Sequence, residues 1–206
     1  MTVATKGPRR ATRTPSRKIP DYLIYEIMDG KPIYYRGYRD VLAGRKTPEE
    51  IRGRGSLQAL IVSYLAGFIG NALDETRFFV LIGEPGVHIN HRNNLSNDVA
   101  IHDKTVLTPE KISKNYADVP PKIALEVDVD ADLSEMTETG YIYRKTRKLL
   151  EFGVEKVIWM LTEAQAVLVA TPERIETVDW SRDVEVMDGH AFNIGAYLTR
   201  QGIAVN

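Results

Sequence analysis

Apolar and polar positions along the chain alternate with three different periods. Tyr22-Leu23-Ile24-Tyr25-Glu26-Ile27-Met28 and Pro32-Ile33-Tyr34-Tyr35 flank Asp29-Gly30, the pair that closes a tight β-hairpin. Residues 37–46 contain Gly and Arg without a period and read as a loop. Thr47-Pro48-Glu49-Glu50 is a helix-start signal. Leu57, Leu60, Ile61, Tyr64, Leu65, Phe68, Ile69 and Leu73 then recur at helical spacing, which predicts a core helix over 56–73. Strands follow at 77–82 and 87–90. Three apolar runs come next: Val99-Ala100-Ile101, Ile123-Ala124-Leu125-Glu126-Val127 and Lys156-Val157-Ile158-Trp159-Met160-Leu161. Such runs fit strands covered on both faces. A helix from about Met136 to Phe152, stopped by Gly153, joins the last two. Strand-like runs at 166–170, 175–180 and 184–187, an Asp188-Gly189 turn and a short helix at 194–198 complete the pattern. These late hairpins are expected to complete the sheet or make a dimer contact.

Two acids interrupt the apolar runs. Glu126 lies between Leu125 and Val127, and Asp98 opens the run at Val99. An ionised carboxylate in such a place is costly unless it is paired, hydrogen-bonded or metal-bound. If the two strands pair, Asp98 and Glu126 converge on one ion, and oxygen-only ligation suits Mg²⁺ or Mn²⁺. A cation beside a lysine can polarise a phosphodiester and activate water. The competing readings are a turn Asp after the polar stretch Asn93-Asn94-Leu95-Ser96-Asn97 and a Glu held in a structural ion pair. Glu26 alternates with apolar neighbours, as a solvent-facing strand residue does; approach to the carboxylates is its other reading. Asp128-Val129-Asp130-Ala131-Asp132 departs from a calcium loop, with Leu133 where Gly is required and Thr139 at the twelfth position. Asp128 is a candidate third or outer-sphere ligand, or part of a solvated turn. His88, His91 and His102 match zinc spacing too loosely and read as surface or hydrogen-bonded histidines.

The landmarks Tyr25 to Lys31, Asn97-Asp98-Val99, Pro121 leading into Leu125-Glu126-Val127, Lys145 eight residues before Gly153-Val154, and Val157-Ile158-Trp159 occur in a telling order. Over residues 20 to about 200 the chain resembles the family named putative restriction endonucleases in the PD-(D/E)XK nuclease superfamily. The resemblance implies an α/β (α+β) restriction-endonuclease-like core: a mixed central β-sheet flanked by helices, with added β-hairpins. It implies metal-dependent hydrolysis of a nucleic-acid phosphodiester, with DNA the expected substrate. Asp98 and Glu126 would be ligands for Mg²⁺ or Mn²⁺, Lys145 the catalytic lysine, and the Val127 carbonyl and Asp128 further ligands. Gln58, where the family carries a His, together with Arg144 and Lys148, would bind substrate. Asn97 replaces the family's proline, and Asp128 stands where the superfamily motif has its lysine. That second departure supports the alternative of a catalytically weak or inactive nuclease-fold module that binds nucleic acid or a protein partner. On this reading Lys145→Ala leaves folding intact and Lys148→Ala is its control.

Composition narrows the setting. The 206 residues carry a net charge of −1, so no global field draws in nucleic acid. There is no cysteine, which excludes disulfides and thiolate metal sites and fits the cytoplasm. No apolar run is long and charge-free enough for a membrane span. Lys6, Arg9, Arg10, Arg13, Arg17 and Lys18, with no acid among residues 1–18, read as a disordered basic tail on a single domain over 19–206. A homodimer is expected.

Overall fold

A computed structural model describes residues 18–204; the basic stretch predicted at 1–18 lies, Lys18 apart, outside them. The core is a mixed sheet of six strands. Its order is β10 (Ile175–Asp179), β9 (Ala166–Ala170), β8 (Lys156–Leu161), β7 (Ile123–Val127), β6 (Val99–Asp103) and β3 (Phe78–Ile82). All neighbours are antiparallel except β7 and β8, which run parallel. A parallel pair needs a crossover, and α4 (Glu138–Phe152) supplies it. Thr137 starts that helix by accepting the Gly140 N–H. Gly153 ends it at φ +114°, a left-handed position that favours glycine.

The pleat sorts β7 into two faces. Ile123, Leu125 and Val127 join Val99, Ile101, Ile158 and Met160 against Ile61, Leu65 and Ile69 of α3 (Ser56–Ala72). The opposite face holds Ala124, Val157, Trp159 and Leu168 against Tyr141, Ile142 and Leu149 of α4. On that second face also sits a smaller antiparallel sheet. Its order is β2 (Lys31–Tyr34), β1 (Ile24–Met28), β5 (Asn93–Ser96) and β4 (Gly86–Asn90). The predicted Asp29-Gly30 turn closes β1 to β2, both residues at positive φ. β11 (Val184–Met187) and β12 (His190–Phe192) pair with each other, and α5 (Ile194–Arg200) follows.

Two expectations fail locally. The stretch 37–46 contains a helical turn, α1 (Tyr38–Leu42), whose Tyr38 is buried with Leu23 and with Ile51 of α2 (Pro48–Arg52). The polar run beginning at Asn93 is a strand rather than a turn. Its Leu95 is fully buried, and Asn93 Oδ1 accepts the Asp29 N–H at 2.9 Å. The Asn93 side chain bonds to neighbouring turns while its backbone joins the sheet, which composition alone could not show.

The three histidines do not gather. His88 meets Asn94 Oδ1 through Nδ1 at 2.5 Å, His91 is exposed and His102 is buried in β6. Burial lowers the His102 imidazole to about 4, and a hydrogen bond to the Pro120 backbone only partly opposes this. Its Nδ1 has no partner among the described residues. The unfolded chain takes up this proton near pH 6.5 and the folded chain only near 4, so stability is lost as pH falls through that window. The lost contribution by pH 4 is about 3 kcal/mol. Urea unfolding at pH 7, 5.5 and 4 should show His102→Gln with an acid limb shallower than wild type by that order; parallel limbs would remove His102 from the acid response.

Candidate functional site

Strand pairing decides where the two carboxylates go. Val99 lies opposite Leu125 and Ala100 opposite Ala124. Asp98 stands just before β6, beside the Glu126 end of β7, and the two carboxylates act on each other electrostatically. The Asp98 N–H donates to Leu125 O at 3.1 Å, and Asp98 Oδ2 accepts the Val127 N–H at 2.6 Å. The side chain thus continues the ladder where the strand ends and is fixed in place.

Lys145 comes to the same point from the middle of α4 and is wholly buried. Its Nζ lies 2.9 Å from Glu126 Oε1 and 2.7 Å from Glu26 Oε1. Lys145 Nζ and Glu126 Oε1 meet as an ion pair rather than as an aligned hydrogen bond. The rings of Trp159, Tyr25 and Tyr141 surround the ammonium with centroids at 5.5, 5.9 and 5.9 Å. The solvent-facing reading of Glu26 is overturned, for only 3% of it is exposed. Its Oε2 accepts the Tyr141 O–H at 2.5 Å and its Oε1 the Ser96 N–H at 3.0 Å. Both alternate sets of β1 are largely apolar, so period two could not say which face turns inward. The small sheet packs against the α4 face, and Glu26 and Met28 are the inward pair.

Electrostatics follow from burial. Desolvation pushes Glu126 well above the usual carboxylate range; Lys145 opposes the rise, while Asp98 and Glu26 add to it. Desolvation also raises Asp98, against the Arg54 guanidinium and the Val127 N–H. Desolvation would lower Lys145, but Glu126 and Glu26 outweigh it and hold the ammonium above its usual value. Lys145 is therefore charged at any physiological pH. Arg54, from the linker between α2 and α3, completes the cluster. Its guanidinium lies 2.6 Å from Asp98 Oδ1 and 3.3 Å from Glu84 Oε1. Nothing in the sequence marks Arg54 beyond the glycines on either side of it.

The structure thus brings together Asp98, Glu126, Lys145, Val127 and Gln58, whose Nε2 donates to Val127 O at 2.8 Å. Three other candidates stand apart. Asp128 is a turn residue at φ +56°, and its two oxygens accept the Thr162 N–H at 2.8 Å and O–H at 2.7 Å. It ties the end of β7 to the end of β8, and its carboxylate is already engaged there. Lys148 pairs with Asp29 at 2.5 Å, on the hairpin turn. Arg144 is exposed and also acts on Asp29. Beside the centre an open cleft of about 760 Å³ is lined by Arg36, Gln58, Asp128, Asp130 and Thr162.

A divalent ion fits this donor set in kind. Asp98, Glu126 and the Val127 carbonyl offer oxygen alone. Three acids, Glu26, Asp98 and Glu126, share the two cations Lys145 and Arg54. Among the described residues no three His, Asp or Glu side chains form a metal cage. Two carboxylates with water suit Mg²⁺, which seldom takes an all-protein cage.

The fold matches that of a solved protein from Anabaena variabilis ATCC 29413 described as a putative nuclease belonging to DUF820. The TM-score is 0.62 at 13% identity, covering 84% of this chain and 89% of the other. No family model and no curated protein matches the sequence. Among the described residues no helix is long and apolar enough to cross a membrane.

The burial of Lys145 overturns the expectation that its removal spares folding. Truncation leaves Glu26 and Glu126 buried without their shared cation, at a cost of about 3–5 kcal/mol. Lys148→Ala breaks a pair whose Asp29 is half-exposed and should cost less than about 1 kcal/mol. Urea unfolding of the two variants at neutral pH measures the difference; equal losses would show that the buried pairs contribute nothing net.

Proposed function

We propose that the chain is a metal-dependent nuclease hydrolysing nucleic-acid phosphodiester bonds, with DNA its substrate. The observation that carries this is the neighbouring carboxylates of Asp98 and Glu126, the second of them paired with a buried lysine. The described function of the solved protein with this fold points the same way. Asp98, Glu126 and the Val127 carbonyl would hold Mg²⁺ or Mn²⁺, which when bound supplies Lewis-acid polarisation of a phosphoryl oxygen and a water of lowered pKa. The rest is the work of the chain. Lys145 favours the ionised form of Glu126 against the burial that opposes it. Glu26 and Tyr141 fix that ammonium, and Gln58 orients the Val127 carbonyl. The cysteine-free composition supports a cytoplasmic setting. A homodimer is part of the same reading, with the separate β11–β12 hairpin its proposed contact.

A second reading has one observation in its favour: Arg54 already occupies an oxygen of Asp98. In that case the chain binds nucleic acid or a protein partner and cleaves poorly or not at all. Incubating plasmid and single-stranded DNA with Mg²⁺, Mn²⁺ or a chelator separates the two. Cleavage that needs the metal, and that falls about 10²-fold or more in Asp98→Asn and Glu126→Gln, is the expected result. Retention of DNA without cleavage in either metal would establish the binding module.

A further inference from the structure

Lys145 cannot be the cation that an incoming phosphate first meets. It is wholly buried and enclosed by Glu26, Glu126 and three aromatic rings. Of the two cations in this cluster, Arg54 alone reaches solvent, with 17% of its side chain exposed. Gly53 and Gly55 flank it, in a linker without regular structure between α2 and α3. Among the described residues, a Cβ on Gly55 would meet nothing within 4 Å and one on Gly53 only a backbone oxygen at 3.6 Å, so no side chain packs over either glycine. The guanidinium reaches inward to Asp98 Oδ1 and outward to Glu84 Oε1. Exposed Tyr116 packs against Gly86, two residues beyond Glu84.

We propose that Arg54 is the phosphate-binding residue of this site, exchanging its contact with Asp98 for a substrate phosphate when Asp98 turns to a divalent ion. This inference rests on the nuclease reading and assigns a residue within it. Two cations drawn to one carboxylate repel each other, and Asp98 holds the guanidinium through Oδ1 while its Oδ2 takes the Val127 N–H. A divalent ion there competes electrostatically with Arg54 and carries the higher charge. A displaced guanidinium beside a metal-bound phosphate finds its best geometric match there, because its fork of donors fits two phosphoryl oxygens.

Competition predicts opposite changes from one substitution. Arg54→Gln removes the competing charge while leaving an amide that can still hydrogen-bond Asp98. Its Mn²⁺ affinity, measured by calorimetry without nucleic acid, should rise about tenfold. Its affinity for a fluorescent oligonucleotide, measured by anisotropy in Ca²⁺, should fall about tenfold, the size expected for loss of one charge-assisted contact. Arg54→Lys keeps the charge and so the fold. It should bind Mn²⁺ as wild type does but lose oligonucleotide affinity several-fold, because an ammonium lacks the bidentate fork. A merely structural Arg54 would weaken both bindings together or neither. Either pattern in Arg54→Gln, or unchanged oligonucleotide affinity in Arg54→Lys where the Gln variant fails to fold, overturns the proposal while wild-type cleavage leaves the nuclease reading intact. A wild type that neither binds Mn²⁺ nor cleaves overturns both.

Discussion

A single buried ammonium sets the terms for much of this structure. Lys145 rises from α4 into the space between two sheets, and it takes one glutamate from each. Glu126 belongs to the six-stranded sheet and Glu26 to the four-stranded one. Burying a lysine alone would shift it to the neutral form. Two carboxylates in contact reverse that preference, so the charge persists and the three elements must stay together. Such pairs rarely repay their own desolvation against an apolar core of equal volume. Their contribution is to fix one arrangement: β1 is held to α4 by Tyr141 on Glu26 Oε2 and by Lys145 on Oε1, and to β5 by the Ser96 N–H on Oε1.

The apolar part of the fold does different work. Ile123, Leu125 and Val127 hold β7 against α3, and they fix which way the remaining side chains of the strand point. Once those three face α3, Glu126 has no choice but the α4 face. Pairing of β6 with β7 then brings Asp98 alongside, where it bonds the backbone of Leu125 and Val127. The placing of Glu126 is thus a consequence of hydrophobic packing on the far side of the sheet, where Gln58 of α3 also reaches the Val127 carbonyl.

This explains how much was legible in the sequence. The α3 periodicity, the apolar strands and the acids within them are local patterns, and the structure places them as the patterns imply. Glu26 was not legible, because β1 is apolar on both alternate sets and only docking of the small sheet chooses between them. Arg54 lies in a linker whose neighbours are glycines, and its meaning depends on reaching Asp98, forty-four residues on. The strand at Asn93–Ser96 was hidden for a related reason. Its asparagines look like turn residues because they do bond to turns, namely to those of the neighbouring strands.

Asp128 shows how a carboxylate two residues from Glu126 can stay out of its cluster. A side chain two residues after Glu126 would return to the carboxylate face only if the strand continued. β7 stops at Val127, and Asp128 turns away at φ +56° to accept two hydrogen bonds from Thr162. A lysine there would point off the end of the sheet and would leave the β7–β8 turn unfastened. The cation has to arrive from elsewhere, and α4 crosses the same face on its way from β7 to β8. Lys145 sits two turns into that helix, with Tyr141 one turn before it, so both can reach Glu26. Asp128 and Lys145 therefore divide the work: the turn keeps its staple, and the charge enters from the crossover.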